Sequence, residues 1–227
     1  MDPTLIVPGL IAGSGVLLLA AIVWERWRER QRTEALTEWA SGAGFSIEPG
    51  SSAPGASGLA PGLTARPVFS RGRRARLVNI MKGRSAFGAV VITDHIYVVG
   101  SGKNSSTITQ TLVAVELDGS PLPAFVLGPE GIFSRIGQVF GSQDIDFDSS
   151  PSFSGAYQLK GPDEDAIRRV FERNAVPYFS ENRGWSVEAD GAWIVVYRQG
   201  RRAKTDDMTA FLERALTVVQ VIASGGR

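Results

Sequence analysis

The run AVVITDHIYVVGSGKNSSTITQTLVAVEL (residues 89–117) decides how this chain folds. Two stretches rich in β-branched and aromatic residues, 89–99 and 107–117, flank a short Gly/Ser/Asn connection, which is the pattern of a β-hairpin. ARLVNIM (75–81) reads as a strand before it, and AFVL (124–127) as a strand after the turn DGSPLP. Links this short favour an antiparallel meander over parallel crossovers, which need a dozen or more connecting residues. The tail adds a further hairpin, WSVEADGAWIVVY (185–197), around Asp190-Gly191, a dipeptide that accepts the positive φ of a tight turn.

Helices alternate with this block. IFSRIGQVF (132–140) places Ile132, Phe133, Ile136, Val139 and Phe140 at helical spacing, closed by Gly141. GPDEDAIRRVFER (161–173) has Pro162 at its start, acids at its positive end and arginines towards its negative end. A last helix spans about Asp206 to Ala223, with Met208, Phe211, Leu212, Ala215, Val219 and Ile222 on one face. The fold class is α+β, with an antiparallel sheet and packed helices in residues 67–224.

Upstream, PTLIVPGLIAGSGVLLLAAIVW (3–24) carries no charge, and ERWRERQR follows at once. About 20 apolar residues suffice to cross the roughly 30 Å hydrocarbon layer. Residues 1–24 are therefore expected to be a transmembrane anchor, with 25–41 a basic juxtamembrane helix. Arg26, Arg28, Arg30 and Arg32 would stay on the cytoplasmic side, giving a single-pass protein of the bacterial inner membrane with its N-terminus outside and its domain in the cytoplasm. Gly9 and Gly13 form a GxxxG step through which two such helices could pair. Residues 42–66 are rich in Pro, Gly and Ser and read as a tether or long loop, unless Leu59 and Leu63 dock on the domain.

The 227 residues carry a formal net charge of +1, one histidine and no cysteine. Absent cysteine excludes a disulfide scaffold and a thiol nucleophile. Near-neutral charge argues against nucleic acid as a partner. Gly100-Ser101-Gly102-Lys103 fails as a phosphate loop, because Tyr97 and Asn104 stand where Gly and Ser/Thr are required. His95 and Asp94 are neighbours on a strand and point to opposite faces, and no GxSxG elbow accompanies them.

Two clusters remain as candidate sites. In QDIDFDSSP, Asp144, Asp146 and Asp148 share one face of an extended segment about 6–7 Å apart, while Ile145 and Phe147 face the core. Such carboxylates repel unless a cation or arginine intervenes, so they could hold a divalent cation or simply cap and pair. SRGRRAR supplies Arg71, Arg73, Arg74 and Arg76, which with the basic run YRQGRRAK (197–204) and the arginines after the apolar window could meet anionic lipid headgroups.

FGSQDIDFDSSPSFSGAYQLKGPDEDAIRRVF (140–171), with SGKNSSTITQTLVAV before it and AWIVVYRQGRR after it, resembles a family of uncharacterised bacterial single-span membrane-anchored proteins. The resemblance implies one folded domain behind an anchor and brings no activity, cofactor or site residue. The function expected from the sequence is non-enzymatic, with the domain binding a protein, lipid or small ligand and needing no cofactor. The alternative is a metal-dependent hydrolase or transferase built on Asp144, Asp146 and Asp148.

Overall fold

Eight strands make one sheet, in a computed structural model that describes residues 6–131 and 144–225, with the side chains of the first helix described from Leu19 onward. The strands are β1 (Ser46–Ser52), β2 (Arg73–Ser85), β3 (Gly88–Val99), β4 (Ser106–Leu117), β5 (Leu122–Pro129), β6 (Tyr157–Lys160), β7 (Ser186–Gly191) and β8 (Trp193–Tyr197). Their order is β1-β2-β3-β4-β8-β7-β5-β6, and every neighbouring pair is antiparallel. The β3–β4 hairpin pairs without interruption from Gly88↔Leu117 to Val99↔Ser106. Its tip is a single 3-10 turn, Gly102–Asn104, so the GSGK stretch serves as a hairpin end. Gly100 is required there: its φ is +76°, and a Cβ would stand 2.3 Å from the Asn104 carbonyl oxygen.

Helices cover one face. They are α1 (Ile6–Gly42), α4 (Glu164–Phe171), α5 (Ala175–Glu181) and α6 (Met208–Gly225), with the one-turn α2 (Pro61–Thr64) and α3 (Pro151–Ser154) elsewhere in the chain. The larger core lies beneath them, where Leu36 and Ala40 of α1 join Ile92, Val113, Phe125, Phe171 and Val219. Asp163 caps α4 by accepting from the Ala166 amide at 2.9 Å, and Glu164–Arg168 adds an i,i+4 pair. The helix expected over 132–140 falls outside the described residues.

The other face is covered by residues 53–70. Pro54, Pro61 and Pro67 each start a short helical turn, Pro54–Ala56, Pro61–Thr64 and Pro67–Ser70, because a proline's fixed φ suits the first helical position and its missing N–H is not needed there. Leu63, Val68 and Phe69 are buried against Leu77, Leu112, Val195 and Tyr197 in a second, smaller core. Of the Pro/Gly/Ser-rich stretch 42–66, the first part thus supplies strand β1 and the remainder a cover for the sheet.

The N-terminal expectation is corrected. Among the described residues, no helix is long and apolar enough to cross a membrane, so the transmembrane anchor, the single-pass topology and the inner-membrane location with an outside N-terminus are withdrawn. The physical reason lies in the arginines. Of the four arginines read as a topological signal, Arg32 on α1 (Ile6–Gly42) is bonded inside the fold to Asp94. Leu36 and Ala40 then seat the same helix on the sheet. The charge that read as a topological signal is in part a packing contact. The side chains of Ile6 to Leu18, and with them the Gly9/Gly13 pairing face, lie outside the described residues.

Candidate functional site

The exposed part of α1 is the most unusual surface of the described chain. Leu19, Ile22, Val23, Trp24 and Trp27 are 48–65% exposed and are the large apolar side chains left open to solvent. At about 100° per residue, Leu19, Ile22, Val23 and Trp27 fall on one side of the helix, and Arg26 and Arg30 continue that side. Ala40, which is buried against the sheet, lies about five full turns beyond Ile22 on the same azimuth, and Leu36 is about 40° from it. The open residues therefore differ from the packed ones by their height along the helix, and the open stretch lies before the part that meets the sheet. It offers apolar rings and methyls with guanidinium groups one turn further on.

Rigid contacts below hold this helix in place. Arg32 Nε and Nη2 donate to the two oxygens of Asp94 at 2.8 and 3.0 Å, and Arg32 Nη1 donates to the Ala203 carbonyl at 2.7 Å. Arg202 Nε donates to the same carboxylate at 3.0 Å, and its Nη2 reaches Glu29 of α1 at 2.7 Å. Thr111 Oγ1 donates to Asp94 Oδ1 at 2.7 Å. Burial would raise the Asp94 carboxyl, but the Arg32 bond and the Arg32 and Arg202 charges outweigh it and hold the group below the ordinary carboxylate range. Thr33 adds a bond to Asn79, a residue of φ +54° at a bulge in β2. The bulge turns a side chain of the sheet towards the helix.

A second polar cluster lies under the 53–70 cover. Glu188 of β7 is fully buried and accepts from the Val68 amide at 2.7 Å, from the Tyr197 hydroxyl at 2.8 Å and from Arg71 Nη2. Its three donors come from the cover, from β8 and from the residue where the cover ends, so one carboxylate clasps that segment to the sheet. His95 is sealed nearby between Phe69 and Tyr97, with ring centroids 6.0 and 4.8 Å away. Neither of its ring nitrogens has a hydrogen-bond partner among the described residues. Burial first, and the Arg71 charge second, push its pKa down to about 4, so it is neutral at physiological pH.

The residues singled out from sequence separate in space. Arg32 and Arg71 are committed to Asp94 and Glu188. Arg26, Arg28, Arg30, Arg73, Arg74 and Arg76 are exposed, and Arg73 donates to the Gly100 carbonyl across the β2–β3 edge. Arg76 faces α1 across a groove of about 450 Å³ shared with Glu25, Glu29 and Glu34. In the acidic stretch, Ile145 and Phe147 are buried as the alternation requires. Asp144 is half-buried and accepts from the Leu159 amide at 2.7 Å, which extends the β6 edge; burial raises its pKa more than that bond lowers it. Asp146 and Asp148 point to solvent. Among the described residues no three His, Asp or Glu side chains are grouped to hold a metal ion.

Asp94 and Glu188 were not singled out by sequence as functional residues, and Arg202 only as one charge of the basic run 197–204. A lone acid inside an apolar strand run, as in VVITDHIYVV or WSVEA, is the signal that could have found two of them, because an acid buried there must be paired.

No protein-family model and no curated protein matches the chain. Its fold is similar to the crystal structure of the mycobacterial trehalose monomycolate transport factor A, TtfA, with a TM-score of 0.55 and 16% sequence identity over 87% of this chain and 96% of that one. At that identity the likeness is one of fold.

Proposed function

We propose that this protein is a non-enzymatic lipid-binding factor that engages anionic lipid through the open side of α1. The observation that carries the reading is the continuous set Leu19, Ile22, Val23 and Trp27 with Arg26 and Arg30 behind it. An acyl chain matches the first group, and a phosphate or carboxylate headgroup matches the second. Tryptophan suits such a boundary because its ring is apolar and its indole N–H is not. Basic side chains near an anionic surface add about 1 kcal/mol each. The fold likeness to a trehalose monomycolate transport factor supports a lipid over a polar small molecule as ligand. The sealed state of His95 and the outward fan of Asp146 and Asp148 favour binding over catalysis.

Flotation of the full chain with phosphatidylcholine vesicles, with and without phosphatidylglycerol, tests this. Binding is expected to rise with the anionic fraction and to blue-shift tryptophan emission. A chain that stays in the aqueous layer with both vesicle types overturns the reading.

A further inference from the structure

Away from α1, a pocket of about 590 Å³ opens beside the turn that follows β8, with Arg183, Arg198 and Arg201 in its wall. Glu130 is its lone acid among the described residues, and Gln199 completes the polar lining. None of the three arginines forms an ion pair among the described residues. That sets Arg198 apart. The other buried or half-buried arginines described, Arg32, Arg66, Arg71, Arg168 and Arg202, each have a carboxylate within 3 Å. Half-buried guanidinium groups are costly without a counter-charge, and three cations sharing one pocket repel each other unless an anion lies between them.

The wall is also built in advance. The Arg198 guanidinium sits 4.6 Å from the centroid of the buried Trp185 ring, which holds its plane. The turn carrying Arg198 and Arg201 is closed by the Arg201 amide on the Arg198 carbonyl at 3.0 Å. It is tied to β4 by the Thr111 amide on the Arg201 carbonyl at 3.2 Å and by the Gly200 amide on Gln110 Oε1 at 3.1 Å. Gln199 accepts from Arg71 through Oε1 at 3.4 Å. The Arg198 fork, held in this way, suits an oxyanion with several acceptor oxygens, and the exposed Arg183, whose Nε donates to the Ser180 carbonyl at 3.4 Å, and Arg201 stand beside it.

We infer that this pocket binds a phosphate group, held by Arg198 and Arg201 from the turn and by Arg183 from the facing loop. The phosphate comes either from a free phosphate compound or from a lipid headgroup. Calorimetric titration of the full chain with inorganic phosphate decides the inference. One-site saturable binding is expected, weakened at least about tenfold in the Arg183→Gln/Arg201→Gln variant, because two charge-assisted donors are lost. Both side chains are exposed, so an unchanged thermal melt is expected to accompany the loss. No saturable phosphate binding, or equal affinity in chain and variant, overturns the site. Flotation with vesicles of phosphatidylcholine and phosphatidic acid identifies the source: weaker binding by the variant assigns a headgroup, and equal binding assigns a free phosphate compound. The open side of α1 is the same in both proteins, so a failure here leaves the lipid contact there standing.

Discussion

Arg32 and Asp94 lie 62 positions apart and are joined by two parallel hydrogen bonds, which fix a helix that carries an exposed apolar side onto a sheet buried on both faces. Breaking a buried ion pair by removing one partner leaves the other charge stranded, at a cost of about 3–5 kcal/mol. Asp94→Ala strands two arginines at once and should sit at the upper end of that range. Urea unfolding monitored by circular dichroism measures it, and hydrogen exchange should rise first along residues 25–40.

Glu188→Ala should cost about 3 kcal/mol, since it removes the acceptor for a buried arginine, a phenol and a backbone amide together. The loss should be local before it is global. Limited proteolysis is expected to cut within 53–72 in the variant under conditions where the unaltered chain survives. Glu188→Gln keeps an acceptor for the Val68 amide and should fall between the two.

Acidification acts through His95. Its folded pKa of about 4 lies below its ordinary value, so the unfolded chain binds the extra proton first. The stability this neutral ring confers is complete above pH 6.5 and is lost as the pH falls towards 4. About 2 kcal/mol should disappear between pH 6.5 and 5. His95→Phe, which cannot take up a proton, should flatten that part of the stability–pH curve; a curve as steep as the parent's would show that another group titrates.

Trp24→Ala/Trp27→Ala should lower affinity for anionic vesicles at least about tenfold, through lost apolar contact, with no change in melting temperature. Arg26→Gln/Arg30→Gln should instead remove the dependence on anionic lipid and on salt while leaving residual binding. A double tryptophan variant that binds as well as the parent would move the contact elsewhere.

The strands were legible because their apolar runs are long and their links short. Residues 89–99 and 107–117 fall within β3 and β4 almost end to end, and the 185–197 hairpin closes around Gly191 (φ +62°) between β7 and β8. Residues 49–67 were harder to read, because proline marks a loop and the first turn of a helix equally well. Only contact with Leu77 and Tyr197, distant in sequence, turns Leu63 and Phe69 into core. Charges misled for the same reason. Nothing local separates Arg32, bonded to Asp94, from Arg30, open to solvent. Asp144 was conspicuous among its neighbours yet serves a strand edge, whereas Glu188 drew no notice and Arg202 only as one charge of a basic run, and each joins two distant parts of the chain. A pairing across a hundred residues leaves no trace in spacing.

The clasp of Arg71 and the Val68 amide on Glu188 also orders events on the ribosome. Everything that Glu188 gathers from residues 53–72 is synthesised more than a hundred positions before it, and Glu29 likewise waits for Arg202. A nascent chain can pair β2, β3 and β4 as they emerge, but it keeps a half-open face until β7 and β8 arrive. Residues 29–72 and 188–202 thus mature together, and a translation product halted before residue 188 would present that bare face to whatever in the cell inspects unfinished proteins.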